Sequence, residues 1–355
     1  MRLIHDFPKT TEIKPDLKQA LNGLEKAFGN LDAIVLTSKD PNLSEYVPLE
    51  NNPRYGASHF TGSVGDAIYF TDKFRKENPA QKPLVLFVDG RYHLQADQET
   101  NPELTEVVKL EVEPNIEGGV RERLGRSKGL QVGIDFERTS IASLARFEKL
   151  AQASGLKLVH VQGTQVLTAL GLPGWTVDKP IFSLPETATG RSPLKTLTAL
   201  ALDMNAKTGH DESLHITCAT DDAAFLLNAR GYHLPHTGSF LAYTFFVGQE
   251  LILFLGASSK NCEVNLEAAQ CGDFKVTVIR DSIPELKAAL AKHKVQSIFF
   301  NGATLNALLP TVAKELFPHA KVNDDYTWLM KNRTKKTTEE MATIRTAFIR
   351  SSRAI

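Results

Sequence analysis

The stretch VDGRYHLQA ends a strongly apolar run with Asp89 and Gly90 and then presents Arg91. The junction between a strand and the following helix is where α/β folds usually display functional groups. A guanidinium there is a planar fork that can hold a peptide carbonyl or carboxylate. It can equally close a surface salt bridge with Asp89 or Asp97, and both readings stand. HLPH offers His233 and His236, with Asp221 and Asp222 upstream. A metal site needs three or four converging ligands, and Pro235 breaks the register that would put both rings on one helix face. In ESLHITCA, Leu214 and Ile216 alternate with His215, which reads as an ordinary strand residue. HFTGSVGDA lacks the Lys-Ser/Thr ending of a phosphate loop and precedes a strand, so it reads as a turn. Ser63 lies outside a GxSxG elbow. No residue is assigned to catalysis, to a cofactor or to a metal, and Arg91 is the one candidate for contact with substrate.

The elements that must position these groups alternate between strand and helix. A helix over 15–28 leads into the strand-length run LDAIVLTS, and DPNLSEYVP reads as a turn and short helix. GDAIYFTD and PLVLFVDG are strands, and RYHLQADQET has helical character. EVVKLEVE, LQVGIDFE and KLVHVQ are further strands, with a helix over SIASLARFEKLAQAS. Such alternation predicts an α/β fold with helices on both faces of a sheet. The segment 171–193 carries four prolines and reads as a domain boundary.

After it the order repeats: a helix over 194–206, the strand ESLHITCA, the short helix TDDAAFLLNARG, the strand pair FLAYTFFVG and QELILFLG, then DFKVTVIR and VQSIFFNG. Helices are expected over 283–293 and 304–316. LDAIVLTSKDPNLSEYV and ESLHITCATDDAAFLL share one plan, and each is followed by a TGS turn, at Thr61–Ser63 and Thr237–Ser239. A duplicated fold is the expectation. The final stretch, EEMATIRTAFIRSSRAI, spaces Met341, Ile344 and Phe348 on one helix face behind a Thr337/Glu340 capping box.

With 355 residues, 41 basic and 41 acidic side chains and 42% hydrophobic content, the chain reads as globular, about two domains long. Balanced charge argues against nucleic acid or an anionic membrane as partner. Cys218, Cys262 and Cys271 are odd in number and without CxxC spacing. They read as structural thiols in a cytoplasmic protein.

SEYVP, HFTGSVGDAIYFTD, VDGRYHLQA, VGID, the Trp175–Pro185 segment, TDDAAFLLNARG and AYTFFVG, in that order, resemble the first two domains of three-domain Xaa-Pro aminopeptidases. These are creatinase- and prolidase-like metallopeptidases. The resemblance implies two similar creatinase N-terminal-type domains, each a mixed sheet flanked by helices, over 1–172 and 173–325. Residues 326–355 would be the linker and first helix of a pita-bread catalytic domain. In the family that domain binds two divalent metal ions, usually manganese, through two Asp, one His and two Glu that lie beyond this helix. Only Glu339 and Glu340 are acidic after Tyr326, so the chain alone is expected to be inactive and to bind no metal.

Arg91 matches a family arginine that reaches the bound peptide. The implied parent removes an N-terminal residue preceding proline, from proline-containing peptides, and forms a homodimer. Where the family commonly has Ser-Gly-Phe, this chain has Ser58, His59 and Phe60; an Asn-Pro pair is replaced by Thr237 and Gly238. The rival readings are a stand-alone peptide- or protein-binding member of the same fold, and a self-sufficient hydrolase using His233, His236 and Asp222.

Overall fold

The computed structural model describes residues 13–111, 116–125, 128–269 and 271–354. Among these the chain divides into two compact units, the first built from 13–175 with 306–308, the second from 176–305 and 309–354.

In the first unit, α1 (Leu17–Phe28) starts where the Asp16 carboxylate accepts the Gln19 amide at 2.8 Å. It turns Ala20, Leu21, Leu24 and Phe28 inward at helical spacing. The strands are β1 (Ala33–Leu36), β2 (Asp66–Phe70), β3 (Leu84–Val88), β4 (Thr105–Lys109), β5 (Gln131–Ile134) and β6 (Lys157–His160). They form one sheet in the order β4-β3-β2-β1-β5-β6, in which β2 alone runs against the rest. Alternation along the strands serves two cores. Ile34, Leu36, Leu84 and Leu86 pack with α1 and with α7 (Gly163–Ala169). Ala33, Val35, Val85 and Phe87 pack with α5 (Ile116–Leu124) and α6 (Ile141–Ser154). Strands covered on both faces can be apolar throughout, which is why LVLFV is buried at every position.

The expected short helix in DPNLSEYVP is absent. The Asp40 carboxylate takes the amides of Asn42 and Ser44 at 3.0 and 2.9 Å and fastens a turn instead. The helix comes later, as α2 (Pro53–Ser58), where Asn52 caps and Pro53 occupies the first turn. Sequence reading also overlooked α3 (Asp72–Glu77), α5 and α7, while α4 (His93–Glu99) stands where RYHLQADQET predicted it.

The second unit repeats the plan. Its strands are β8 (Ser213–Thr217), β10 (Tyr243–Val247), β11 (Glu250–Leu255), β13 (Lys275–Arg280), β14 (Ser297–Phe299) and β15 (Lys321–Asn323). Their order is β13-β11-β10-β8-β14-β15, with β10 the single reversed strand. Strand for strand this is the first sheet again, as the repeated order of motifs predicted. A small sheet of β7 (Ile181–Ser183), β9 (Ala229–Arg230) and β12 (Val264–Asn265) is added. Helices α8 (Glu186–Thr189), α9 (Pro193–Thr208), α10 (Thr220–Leu226), α11 (Ile283–Leu290), α12 (Leu309–Leu316) and α13 (Trp328–Arg333) complete it.

The helix expected over 304–316 begins at Leu309, because the Ala307 amide is spent on the carbonyls of Phe136 and Thr139. At the end of the chain α14 (Thr338–Ala354) opens on the expected capping box. Thr337 N donates to Glu340 Oε2 at 2.9 Å, and Glu340 N donates to Thr337 Oγ1 at 3.0 Å. Among the described residues no helix is long and apolar enough to cross a membrane.

Candidate functional site

Because β2 alone is reversed, β1, β3 and β5 all end on the same edge of the first sheet, and Arg91 stands on it just past β3. Its backbone amide and Nε donate to Asp89 Oδ1 at 3.0 and 3.1 Å, and its Nη2 donates to Oδ2 at 2.7 Å. The Asp89 carboxyl is buried, and these Arg91 bonds hold it below the usual carboxylate range. The arginine side chain itself is 60% exposed. The salt-bridge partner named from the sequence, Asp89, is therefore present, and it takes Nε and Nη2 of an otherwise exposed guanidinium. The guanidinium carbon lies 5.4 Å from the Tyr92 ring centroid, and the Tyr92 hydroxyl pairs with Ser63 Oγ at 2.7 Å.

Beneath this rim the TGSVG turn is held from inside. Fully buried Arg54 donates to the carbonyls of Gly65 at 3.2 Å and Phe60 at 3.3 Å, and to that of Gly62. A phosphate loop offers its amides to the ligand. This loop commits its carbonyls to a buried cation, which suits the turn reading. Gly65 has φ of 140°, and a Cβ there would stand 2.9 Å from the Phe87 carbonyl oxygen, so only glycine fits. Burial lowers the Arg54 guanidinium to about 10.

Both sheets have a place where neighbouring parallel strands send their chains away in opposite directions, the crevice at which open α/β sheets bind ligands. In the first unit it lies between β1 and β5, and Arg138 fills it. Its Nη1 donates to the carbonyls of Lys39 and Asn51 at 2.8 and 2.9 Å, and its Nη2 to Asn51 Oδ1 at 2.8 Å. Its Nε faces Asp135 Oδ2 at 3.2 Å, a carboxyl that burial holds up to about 6.

In the second unit the equivalent crevice, between β8 and β14, is an open cavity of about 190 Å³. His215, Thr217, Asp222, Asn301, Tyr326 and Arg333 are among its lining residues. Sequence reading assigned His215 to an ordinary strand and did not single out Asn301, Tyr326 or Arg333. The signal available was positional: Asn301 follows β14, Tyr326 follows β15, and Arg333 ends α13.

The remaining histidines go elsewhere. His233 is buried, with Nε2 on the Lys179 carbonyl at 2.9 Å and Nδ1 accepting the Leu241 amide at 3.1 Å. Both ring nitrogens are therefore engaged by backbone. Asp222 pairs with Arg333 and accepts from Thr217 Oγ1 at 2.9 Å. His233 and Asp222 are thus occupied in ways that leave the hydrolase reading without its parts. Among the described residues no three His, Cys, Asp or Glu side chains group as metal ligands. The Cys218 and Cys262 thiols are buried and donate to the carbonyls of Thr304 and Val177 at 3.3 and 3.1 Å.

Residues 176–340 match the family model described as the creatinase/prolidase N-terminal domain. That match spans the sheet of the second unit, and the first unit repeats the same mixed α/β plan. Across nearly its whole length the chain is similar to Xaa-Pro aminopeptidases. It is 24% identical over 357 residues to Xaa-Pro aminopeptidase 2 of Rattus norvegicus, covering 97% of this chain and 49% of that protein. It is 28% identical over 236 residues to a probable Xaa-Pro aminopeptidase P of Laccaria bicolor, covering 64% and 34%. The crystal structure of an X-prolyl aminopeptidase from Caenorhabditis elegans, described as a cytosolic enzyme with a di-nuclear active site, superposes with a TM-score of 0.76. That likeness is at 19% identity and covers 93% of this chain and 53% of the other, and it shows the shared fold. The chain spans about half the length of the curated relatives it matches most extensively.

Proposed function

We propose that this chain is the non-catalytic, two-domain N-terminal portion of an Xaa-Pro aminopeptidase-like metallopeptidase of the cytoplasm, and that it caps the active site and helps recognise the peptide. In this reading the domains are 1–172 and 173–325, and 326–355 leads into the catalytic domain. The parent would remove an N-terminal residue preceding proline, as a homodimer. The observation that carries the reading is Arg91. A 60% exposed guanidinium, held by a buried carboxylate, suits recognition of a peptide oxygen and supplies no nucleophile or base of its own. The two metal ions implied by the family find no ligand set among the described residues.

Two measurements test the proposal. The chain alone, given an Xaa-Pro peptide and manganese with metal-stripped protein as control, should release no first residue; metal-dependent release would refute it. In a protein that carries the catalytic domain, Arg91→Ala should lower kcat/KM by about 10- to 100-fold, the equivalent of about 1.5–3 kcal/mol for a charged hydrogen bond. The melting temperature should stay close to wild type. Unchanged kinetics with a stability loss of about 1 kcal/mol or less would reduce Arg91 to a surface ion-pair partner.

A further inference from the structure

In the cavity between β8 and β14, the Arg333, Tyr326 and Thr217 donors are engaged by carboxylates. Arg333 gives Nη1 to Asp222 and Nη2 to Asp221. The Tyr326 hydroxyl donates to Asp203 Oδ2 at 2.8 Å, and the Thr217 hydroxyl to Asp222. Asp221 remains more than half exposed. His215, only 3% exposed, lines the cavity, and its Nδ1 has no hydrogen-bond partner among the described residues. Burial lowers this imidazole to about 3, so at neutral pH it is uncharged and one of its ring nitrogens is an acceptor.

Two carboxylates against one guanidinium leave an excess negative charge. The Tyr326 ring meets His215 edge to face, 5.7 Å apart, and adds a π-face of the kind that attracts cations. Ile216, Leu305, Leu329 and Met330 supply an apolar wall. The space is smaller than the roughly 300–1,000 Å³ of drug-sized pockets. At the ~10–15 Å³ that one water needs, it takes on the order of ten water-sized groups.

We propose that this crevice of the second unit binds a small aliphatic primary amine as its ammonium ion, with the charge toward Asp221, the neutral His215 and the Tyr326 ring, and the chain against Leu305, Leu329 and Met330. The first unit marks the contrast, since there Arg138 already supplies a cation to the equivalent crevice. The proposal does not rest on peptide recognition at Arg91, because every residue it uses lies in the second unit.

The test uses the full chain at pH 7.5 and constant ionic strength, with n-butylammonium, butan-1-ol and butyrate as probes. Calorimetry and the 15N signals of the histidine rings are the readouts. Saturable binding of n-butylammonium that shifts the His215 ring, at least tenfold tighter than butan-1-ol and with no butyrate binding, is expected. Asp221→Asn removes a partly exposed carboxylate and should weaken n-butylammonium by about tenfold. Met330→Lys, at a position 47% exposed and so tolerant of change, tethers an ammonium at the cavity and should abolish the effect. Circular dichroism checks that each variant is folded. Equal binding of butan-1-ol, binding of butyrate, no binding of any probe, or n-butylammonium affinity unchanged in both folded variants would overturn the proposal.

Discussion

Arg54 is fully buried although its sequence setting, NNPRYGAS, gives no hint of burial. Its partners are backbone carbonyls, and no pattern of side-chain types announces those. Arg54→Met would leave the Phe60, Gly62 and Gly65 carbonyls without their donor. A loss on the order of 3 kcal/mol or more is expected in urea unfolding, and Arg54→Lys should not restore it, because one ammonium cannot reproduce the planar fork.

His215 and His233 set an acid limit. Burial lowers them to about 3 and about 4, so the folded state binds fewer protons than the unfolded state, in which both titrate near 6.5. Their stabilising effect is therefore complete above about pH 6.5 and is lost as pH falls toward the folded values. At pH 5 the cost is about 2 kcal/mol for each. Asp135, held up to about 6, acts in the opposite sense, so the measurement is a difference. Between pH 7.5 and 5, His215→Phe should lose about 2 kcal/mol less than wild type. The place of Arg91 just past an apolar strand was legible from the run that precedes it, and so was Asp89 as its ion-pair partner.

At the scale of elements, local chemistry predicted the long helices and most strands well. Ser140 and Gly155 bracket α6 as cap and stop, with Gly155 at φ 71°. Where three-dimensional partners decide, the reading missed: the turn tied by Asp40, and the delayed start of α12. The C-terminal helix is a test of what caps alone can hold. None of its residues is buried, and Phe348 is 71% exposed. Its start is fixed by the capping box, by Thr337 Oγ1 donating to the Thr189 carbonyl at 2.6 Å, and by the Arg191–Glu340 pair. Trypsin should therefore cut first at Arg345 and Arg350, seen by mass spectrometry of early fragments. Thr337→Ala, at a cost of about 1 kcal/mol to the helix, should speed that cleavage several-fold. First cuts inside the sheets would contradict this order.

The duplication was legible from the order of motifs because each unit needs the same sequence of strands to make the same sheet. The fate of the two crevices was not, since it depends on which side chain a later turn delivers. One property of the second sheet has a consequence in time. Ser213 pairs with Ser297, so β8 waits for a partner synthesised about eighty residues later. At ribosomal rates of roughly 5–20 residues per second, β14 follows β8 by roughly 4–17 s. During that interval β8, β10, β11 and β13 can already be paired, with one edge of β8 bare and buried-type side chains in water. A nascent chain stalled between β13 and β14 is accordingly a form that a chaperone would shield, as is one stalled before β5, the later partner of β1 in the first sheet.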